Sequence, residues 1–343
     1  MGDKRLHSVQ GAVSAPVPYR LTAEFREPPA QFAGCFTTFY HLTLDLPETG
    51  ALVTDYLQPE WANIRFFCGT APDAEIAAHK VSGAPFVGTG PSALPCRFTL
   101  GPVRMWGVGF LPLGWARFVR LPAAEFANKL CDGAVHPFCA PFRPLAESLF
   151  GPEPDEAAEL DRIIAFFRDF RAYPLPEEKR IVAIHAALVD PEVVTVADLV
   201  SRVAASQRTV ERLCHRHFGF SPKLLLRRQR FARSLAHFML DPTMSWIDAL
   251  DGQYHDQAQF VRDFREFMGT TPREYAARPH PILERFMQER MRVHGSAVQT
   301  TDRPDGTPPS SIDAPANAAS MLGSSGRSGN RSRQSPAAGP AIC

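Results

Sequence analysis

The fold is decided by the stretch Thr195-Val-Ala-Asp198-Leu199-Val200-Ser-Arg-Val203-Ala204-Ala205-Ser206-Gln-Arg208-Thr209-Val210-Glu-Arg212. It opens with a threonine that can cap a helix, and the apolar residues that follow repeat on one helical face. Ala204-Ala205 predicts a short turn, after which Ser206 can cap a second helix. The stretch therefore predicts two short helices joined by a tight turn, which is a helix-turn-helix unit.

The second of these helices has two different sides. Its apolar side is formed by Val210, Leu213, Cys214 and either His217 or Phe218. The opposite side carries arginines four residues apart, with Glu211 and His215 beside them: Arg208, Arg212 and Arg216. A helix that docks on its predecessor by the apolar side suits insertion into the DNA major groove, where arginine reads guanine through two hydrogen bonds.

Positive charge is concentrated in the same region. The chain as a whole has a net charge of only +1, but residues 201–233 contain nine Lys or Arg against the single acid Glu211. Clustered positive charge is the electrostatic pattern expected for contact with phosphates. A solvated helical face would have the same composition, so charge alone does not separate these two interpretations.

Two stretches of the C-terminal half resemble a known family. Val196-Ala-Asp-Leu199…Ser206-Gln-Arg208-Thr-Val210-Glu-Arg212…Gly219-Phe-Ser-Pro222 resembles the first helix-turn-helix of AraC/XylS-type regulators. Tyr254-His-Asp256-Gln257-Ala258-Gln-Phe260-Val-Arg262-Asp-Phe264-Arg265-Glu-Phe267-Met-Gly269-Thr-Thr-Pro272 is similar to the signature of the second. A Gly-x-Thr/Ser-Pro motif closes each unit. The resemblance covers roughly residues 176–278.

The resemblance implies two helix-turn-helix units joined by a linker helix over Pro222–Leu240, with both recognition helices entering successive major-groove segments. The first recognition helix is expected over Ser206–His217, and the second over Asp256–Phe267, with Phe260, Phe264 and Phe267 in the core. The DNA-binding residues implied in this way are Arg208, Glu211, Arg212, His215 and Arg216 in the first unit, and Gln257, Ala258, Gln259, Arg262 and Arg265 in the second.

The expected roles of these residues differ. Arg208, Glu211 and Arg212 are candidates for base edges, whereas His215, Arg216 and Arg265 would approach the backbone. Arg212 and Arg262 are equally compatible with ion pairs inside the domain, and Glu211 with orienting Arg208. On the linker helix we predict that Arg227, Arg228 and Arg230 are solvated or contact phosphate.

The chain departs from the family pattern at three positions. Ala204 stands in the first turn where glycine is usual. In the second unit, whose first helix is predicted over Ser245–Gly252, Asp248 and Gln253 occupy positions that are usually apolar and glycine.

The N-terminal half has a different pattern. From about Tyr19 to Leu121 short apolar runs are separated by Gly and Pro, which predicts many short strands in a small β-barrel or sandwich. Apolar residues in Leu160–Phe167 then follow helical spacing. The run Gly107-Val-Gly-Phe-Leu-Pro-Leu-Gly-Trp115-Ala-Arg117, with Leu121–Phe126, is similar to the cupin-like sensor domain of some AraC-type regulators.

The predicted fold class is α+β: an N-terminal small β-barrel, cupin-like and with flanking helices, and a C-terminal all-α domain of two helix-turn-helix subdomains. Four segments are expected. Residues 1–17 form a disordered N-terminus, 18–173 the sensor domain with a helical tail, 176–280 the AraC-type DNA-binding domain, and 293–343 a disordered tail rich in Ser, Gly, Pro and Ala.

Several classes are disfavoured by the sequence. No apolar run is long enough for a membrane helix, and no secretory signal follows Met1, so we expect a cytoplasmic, nucleoid-associated protein. The seven cysteines are dispersed, and His41, His79 and His136 are isolated, so no metal and no cofactor are expected. We find no nucleophile elbow, phosphate loop or paired carboxylates, and therefore predict that the chain is not an enzyme.

The sequence thus predicts a sequence-specific transcription factor whose barrel senses a ligand or mediates dimerisation. Its predicted partners are double-stranded DNA, read in the major groove, a small-molecule effector, a second copy of the chain and RNA polymerase, with no membrane. One alternative is an interaction module that has lost specific DNA binding. Another is a DNA-repair alkyltransferase, although Arg97 follows Cys96 and Ala140 follows Cys139 where a Pro-Cys-His type motif would be needed.

Overall fold

Two antiparallel sheets form the N-terminal half in the computed structural model, which describes residues 19–48, 50–170, 174–241 and 245–306. The larger sheet has the strand order β1-β2-β9-β4-β7-β10, and the smaller one β3-β8-β5-β6. The strands are β1 (Arg20–Arg26), β2 (Phe36–Asp45), β3 (Val53–Leu57), β4 (Ala62–Gly69), β5 (Asp73–Ile76), β6 (His79–Ser82), β7 (Phe86–Thr89), β8 (Cys96–Leu100), β9 (Val103–Phe110) and β10 (Leu130–Asp132). This agrees with the predicted small β-barrel.

The central strands show why the sequence alternates large and small residues. Tyr40 on β2 lies opposite Gly107 on β9 in the register of the larger sheet. A Cβ placed on Gly107 would lie 2.0 Å from the Tyr40 ring, so only glycine leaves room for that ring. Leu42, Leu57, Phe98 and other apolar side chains fill the space between the two sheets.

Helices cover the outside of the larger sheet. They are α1 (Pro112–Gly114), α2 (Arg143–Ser148) and α3 (Glu156–Asp169), and α3 contains the predicted amphipathic segment. Phe167 of α3 packs against Phe36 at a centroid distance of 4.8 Å. Glu159, also on α3, is fully buried, and its carboxylate accepts from Arg104 Nη2 at 2.5 Å and from Trp106 Nε1 at 2.7 Å.

The C-terminal half is helical, as predicted, and the fold class α+β is confirmed. Its helices are α4 (Glu178–Val189), α5 (Val196–Val203), α6 (Gln207–Leu213), α7 (Pro222–Leu240), α8 (Gln257–Met268), α9 (Pro272–Ala276) and α10 (Leu283–His294). Helix α7 has the bounds that were expected for the linker helix.

Side-chain caps explain where the helices begin. Thr195 and Asp198 form a reciprocal capping box at the start of α5, and Ser206 accepts from the Thr209 amide at the start of α6. Ala204, between these helices, has a φ of 50°, the left-handed conformation that favours glycine. The backbone of this turn is therefore strained at Ala204.

The predicted helix over Ser245–Gly252 is wrong. The segment makes a single helical turn, closed by the Ala249 amide on the Ser245 carbonyl at 3.1 Å, and does not continue. Ser245 caps this turn, because its hydroxyl accepts from the Asp248 amide at 3.3 Å. The turn does not continue because the Asp251 amide donates to Ser234 Oγ on α7 at 2.8 Å instead of to the Ile247 carbonyl that a longer helix would use.

The predicted disorder after residue 292 is also wrong for residues 293–306. Val298 and Thr300 are buried, and Gln229 on α7 donates to the Thr300 carbonyl at 2.6 Å. Gln299 donates to Glu60 of the barrel at 2.7 Å. This segment is ordered because it fills the junction of the two halves, which its composition alone does not reveal. Residues 307–343 of the predicted tail, and the predicted disordered N-terminus 1–17, lie outside the described residues.

Helix α10 joins the two halves of the chain. Its first turn is capped by Asp55 on β3, whose Oδ2 accepts from the amides of Ile282 and Leu283, each at 2.8 Å. Ile282 and Phe286 then close the apolar cavity between the two sheets. The C-terminal helix thus covers one mouth of the barrel.

Candidate nucleic-acid interface

The first recognition helix is built as the sequence predicts. Helix α6 runs into a wider turn over Cys214–Phe218, and Gly219 ends it with a φ of 87°. Its apolar side is fully buried, since Val210, Leu213 and Cys214 have no exposed surface. Arg208, Glu211, Arg212, His215 and Arg216 all lie on the exposed side.

The exposed residues of this helix differ in whether they already have a partner within the chain. Arg208 has neither an ion pair nor a hydrogen bond within the part of the chain that the structure describes. Glu211 accepts from Gln207 Nε2 at 2.9 Å rather than from Arg208, so the expected orienting role is not observed. Arg212 is half exposed and is paired elsewhere.

Glu177, just before α4, holds the arginine side of the first recognition helix. Its Oε1 accepts from Arg212 Nη2 at 2.7 Å, and its Oε2 lies 2.8 Å from His217 Nε2 and 3.9 Å from Arg216 Nε. Partial burial opposes ionisation of Glu177, but the hydrogen bonds from His217 and Arg212 outweigh it and hold its pKa below the ordinary value. Of the two interpretations of Arg212, the ion pair is the observed geometry.

His217 is the buried member of this group. Burial lowers its pKa although the Glu177 carboxylate acts in the opposite direction. The ring is therefore neutral at pH 7 and donates its Nε2–H to Glu177. The contact between Glu177 and the recognition helix thus combines an ion pair with Arg212 and a hydrogen bond from the neutral imidazole of His217.

The next residue, Glu178, contacts the barrel. Its Oε1 accepts from Arg117 Nη2 at 2.6 Å, and Arg117 Nη1 lies 3.4 Å from the Cys35 sulfur. Two consecutive carboxylates therefore point in different directions, one to the first recognition helix and one to the barrel.

The second recognition helix, α8, presents an exposed polar side. Asp256 caps it by accepting from the Gln259 amide at 2.6 Å, and the three phenylalanines expected in the core are buried. Gln257, Ala258, Arg262 and Arg265 are exposed, whereas Gln259 is half-buried. Across the described ranges neither Arg262 nor Arg265 is paired with a carboxylate, so an ion pair is not the observed state of Arg262.

The comparison with protein families decides what these two units are. Residues 199–278 match the family model of a helix-turn-helix domain. This chain carries an AraC-type helix-turn-helix domain. The matched residues include both recognition helices and the linker helix, and they exclude the barrel and helix α10.

Several solved structures are similar to the chain at low identity. ToxT from Vibrio cholerae O395 is 11% identical, with 75% of this chain and 96% of that chain covered and a TM-score of 0.35. Unsaturated fatty acid bound ToxT from strain SCE256 is 11% identical, with 75% and 94% covered and the same TM-score of 0.35. The AraC-like transcriptional activator CuxR is 13% identical, with 63% and 87% covered and a TM-score of 0.26. Likenesses at such TM-scores carry no argument about ligand or partner. No curated protein matches the chain.

The linker-helix arginines of the AraC-type domain do not lie where we predicted. Arg227 binds Asp263 at 2.6 Å and Arg230 binds the same carboxylate at 3.1 Å. Arg228 is fully buried, lies 4.0 Å from the centre of the Trp61 ring and donates to the Ser92 carbonyl at 2.9 Å. The prediction of solvated or phosphate-contacting residues is wrong, because α8 and the barrel pack on the faces that carry these arginines.

The positive charge of residues 201–233 is therefore largely neutralised inside the molecule. Arg202 pairs with Asp190 at 2.7 Å, and Arg233 pairs with Asp251. Of the nine basic residues, only Arg208 and Lys223 are exposed without a carboxylate partner among the described residues. A count of charges along the sequence thus overstates the charge that this domain offers to DNA.

Three acidic residues that hold elements together, two of them at this interface, were not predicted from the sequence. Glu177 was assigned only to a linker, Asp263 stood unremarked inside the second motif, and Asp55 lies in the barrel. The arginine, histidine and α10 partners of these residues are 33 or more residues away along the chain, so no local pattern connects them. The only signal was the pair of consecutive acids at Glu177 and Glu178.

The described residues offer little support for other kinds of site. Within the ranges that the structure describes, no His, Cys, Asp and Glu cluster could hold a metal ion. His41 lies 3.3 Å from Glu156, and burial lowers its pKa. No described helix has both the length and the apolar character needed to cross a bilayer. Burial raises the pKa of Cys96 to about 12, which makes its thiol a poor alkyl acceptor.

Proposed function

We propose that the chain is a sequence-specific DNA-binding regulator of transcription whose two recognition helices read successive segments of the major groove. The observation that carries this proposal is the outward side of both helices. Each is capped and docked by a fully buried apolar side, and Arg208, Arg262 and Arg265 project from them without carboxylate partners in the described chain.

Arg208 and Arg262 are the best candidates for reading base edges, because an unpaired guanidinium can make two hydrogen bonds to guanine. Gln257 and Gln259 suit adenine, and the Ala258 methyl suits contact with thymine. His215, Arg216 and Arg265 would contact phosphate, and Glu211 would accept from a cytosine amine.

We propose that Arg212 contacts DNA only when Glu177 releases it. Its guanidinium binds Glu177 at 2.7 Å, so DNA must compete with that carboxylate for it. Glu178 is tied to Arg117 of the barrel, and any movement of the barrel that displaces residues 177 and 178 would release Arg212 and Arg216 together. This arrangement supports a regulatory role for the N-terminal domain.

The barrel is proposed to sense a small apolar molecule. Its interior cavity measures about 40 Å³ and is lined by Leu42, Phe98, Met105 and Phe286 among others. That volume holds little more than a water molecule. A ligand would therefore have to displace Phe286, and so helix α10, which is linked to the DNA-binding domain through His280 and Tyr275. A second copy of the chain and RNA polymerase remain predicted partners that no contact here tests.

The proposal is tested by selecting genomic DNA fragments with the purified full chain and sequencing them. We expect one enriched motif with two half-sites about one helical turn apart, since the proposal has the two recognition helices enter successive major-groove segments. Arg208→Ala should weaken binding to the motif far more than to unrelated DNA. Lys223→Ala, an exposed charge off the recognition helices, is the control and should weaken both slightly and equally.

A second function has one observation in its favour. The segment before α8 makes only a single turn where a helix is usual, so the second unit lacks a regular supporting helix. An interaction module that has lost specific DNA binding would have such a defect. Salt-dependent binding with no enriched motif would favour that module, whereas protection of two half-sites in a footprint would exclude it.

A further inference from the structure

Two buried cysteines of the barrel lie side by side. The sulfur of Cys131, on strand β10, is 3.7 Å from the sulfur of Cys139, which belongs to the turn Pro137–Phe142. Both are free thiols, Cys139 has no exposed surface and Cys131 very little. The proposed DNA-binding function uses neither residue.

Strand β7 leaves a space that the two sulfurs share. Gly88 on β7 is the register partner of Cys131 on β10. A Cβ on Gly88 would lie 2.6 Å from the Cys139 sulfur and 3.4 Å from the Cys131 sulfur. The absence of a side chain at this position therefore allows both thiols to pack against the strand and against each other.

The two thiols differ in acidity. The hydrogen bond between the two thiols lowers the pKa of Cys131 below the ordinary value and outweighs the opposing effect of burial. The same hydrogen bond, together with burial, raises the pKa of Cys139. Cys131 is accordingly the sulfur that ionises first, and its thiolate is the nucleophile of the pair.

We propose that Cys131 and Cys139 form an oxidation site, at which hydrogen peroxide converts the two thiols into an intrachain disulfide. The oxidant must be small because both sulfurs are buried. In the first step the Cys131 thiolate attacks one peroxide oxygen and the O–O bond breaks. The departing hydroxide takes up the proton that Cys131 released and becomes water, leaving a sulfenic acid on Cys131.

In the second step the Cys139 sulfur attacks the sulfenic sulfur of Cys131. The S–S bond forms and the S–O bond breaks, and the departing hydroxide leaves with the Cys139 proton as a second water. The two thiols lose two electrons in all, and one peroxide molecule is reduced to two waters. No further reductant or cofactor is needed.

The disulfide would act on an aromatic cluster next to the first helix-turn-helix unit. A disulfide bond is about 2.05 Å long, so the sulfurs must approach by about 1.7 Å. Phe138, beside Cys139, has its ring 4.4 Å from that of Phe126. The turn Ala123–Glu125, just before Phe126, packs on Cys214–Phe218 at the end of the first recognition helix. Movement of Cys139 is therefore transmitted towards that helix.

In the test, the full chain is treated with hydrogen peroxide, the remaining thiols are blocked with iodoacetamide, and the tryptic peptides are analysed by mass spectrometry. Pro144 follows Arg143 and prevents cleavage there, so both cysteines fall in one peptide, residues 130–162, with no other cysteine. We expect this peptide to become lighter by two hydrogen atoms and to take up no alkyl group. Cys68, which is exposed, reports that the oxidant has acted.

Three variants complete the test. Cys131→Ser and Cys139→Ser should each abolish the unalkylated, lighter peptide, whereas Cys68→Ser should retain it. The proposal is overturned if residues 130–162 carry two alkyl groups at a peroxide dose that has oxidised Cys68. Sulfinic or sulfonic acid on Cys131 without a disulfide would overturn it as well.

The transmission to the helix has its own measurement. We expect amide hydrogen exchange at Cys214–Phe218 to be about threefold faster or more in the oxidised protein than in the reduced one. Exchange that is equal in the two forms would contradict the transmission. This readout does not involve DNA, so its failure is distinct from failure of the proposed function.

Discussion

The two helix-turn-helix units differ in the regularity of their helices and in whether their exposed arginines are paired. The first has two regular, capped helices, but the arginine side of its recognition helix is held by Glu177. The second has an irregular support before α8, yet Arg262 and Arg265 carry no carboxylate partner in the described residues. Regular helices and unpaired arginines are therefore separate properties. The first unit has the regular helices, and the second has the unpaired Arg262 and Arg265.

This difference bears on which unit contributes more to DNA binding. The sequence predicts that the first unit supplies most of the binding free energy, because it carries the arginine stripe. That expectation stays a prediction, and it now depends on whether Glu177 releases Arg212. Four substitutions test how the two units differ, and they are given in order of decreasing expected effect.

Phe264→Ala should destabilise the second helix-turn-helix unit. The ring is fully buried and contacts Phe231 on α7 at a centroid distance of 5.4 Å. Loss of a buried phenylalanine costs about 3–5 kcal/mol, so the free energy of unfolding in urea should fall by that amount. The control is Ile247→Ala at an exposed residue, which should be neutral. A loss below 1 kcal/mol for Phe264→Ala would mean that α8 is not packed as described.

Arg208→Ala should weaken specific binding by about 1–3 kcal/mol and relax the preference at one base pair. Arg212→Ala should cost less, because the wild-type side chain must first leave Glu177. Affinities for the enriched motif and for single-base variants, measured at two salt concentrations, separate these effects. Equal losses from the two substitutions would show that Glu177 does not restrain Arg212.

Ala204→Gly should stabilise the first unit by about 1 kcal/mol, since it relieves a left-handed backbone at a non-glycine residue. Thermal or urea unfolding of the full chain measures the effect. Ala205→Gly, the neighbouring residue without a positive φ, is the matched control and should not stabilise. Stabilisation by both substitutions would point to a cause other than the strain at residue 204.

Glu177→Gln should raise DNA affinity a few-fold and steepen its salt dependence, because exposed ion pairs are worth only about 0.2–1 kcal/mol and Arg212 and Arg216 become free to meet phosphate. Lowering the pH through the folded pKa of Glu177 should also raise the affinity for DNA. The pKa of Glu177 is lowered in the folded chain, so its contribution to stability is present above the unfolded pKa and is lost as the pH falls through the folded pKa. Glu192→Gln, at an exposed acid outside this group, should leave affinity unchanged.

Much of the first unit could be predicted from the sequence, because its determinants are local. Thr195, Ser206 and the spacing of Val210 and Leu213 fix the helix ends and the buried side within a few residues of one another. The start of α7 follows in the same way from Ser221-Pro222, whereas its end was implied only by the family resemblance.

The remainder depends on contacts between residues that are far apart. Whether an arginine is exposed depends on what packs over it, and Arg228 meets Trp61 of the barrel, whereas Arg227 meets Asp263 of α8. Residues 293–306 are ordered for the same reason: their partners, such as Glu60, lie in the other half of the chain. The helix predicted over Ser245–Gly252 fails for a similar reason, since the Asp251 amide bonds to Ser234 of α7.

The cap on α10 has a consequence for how the chain is made. Asp55 leaves the ribosome early, but the Ile282 amide that it accepts from follows 227 residues later. At typical rates of synthesis this interval is on the order of 10–50 s. During that time the mouth of the nascent barrel has no helix to cover Leu42 and Phe98, and its apolar interior is open to other chains and to chaperones. Helix α10, near the end of the described chain, is thus needed to complete the barrel at its beginning.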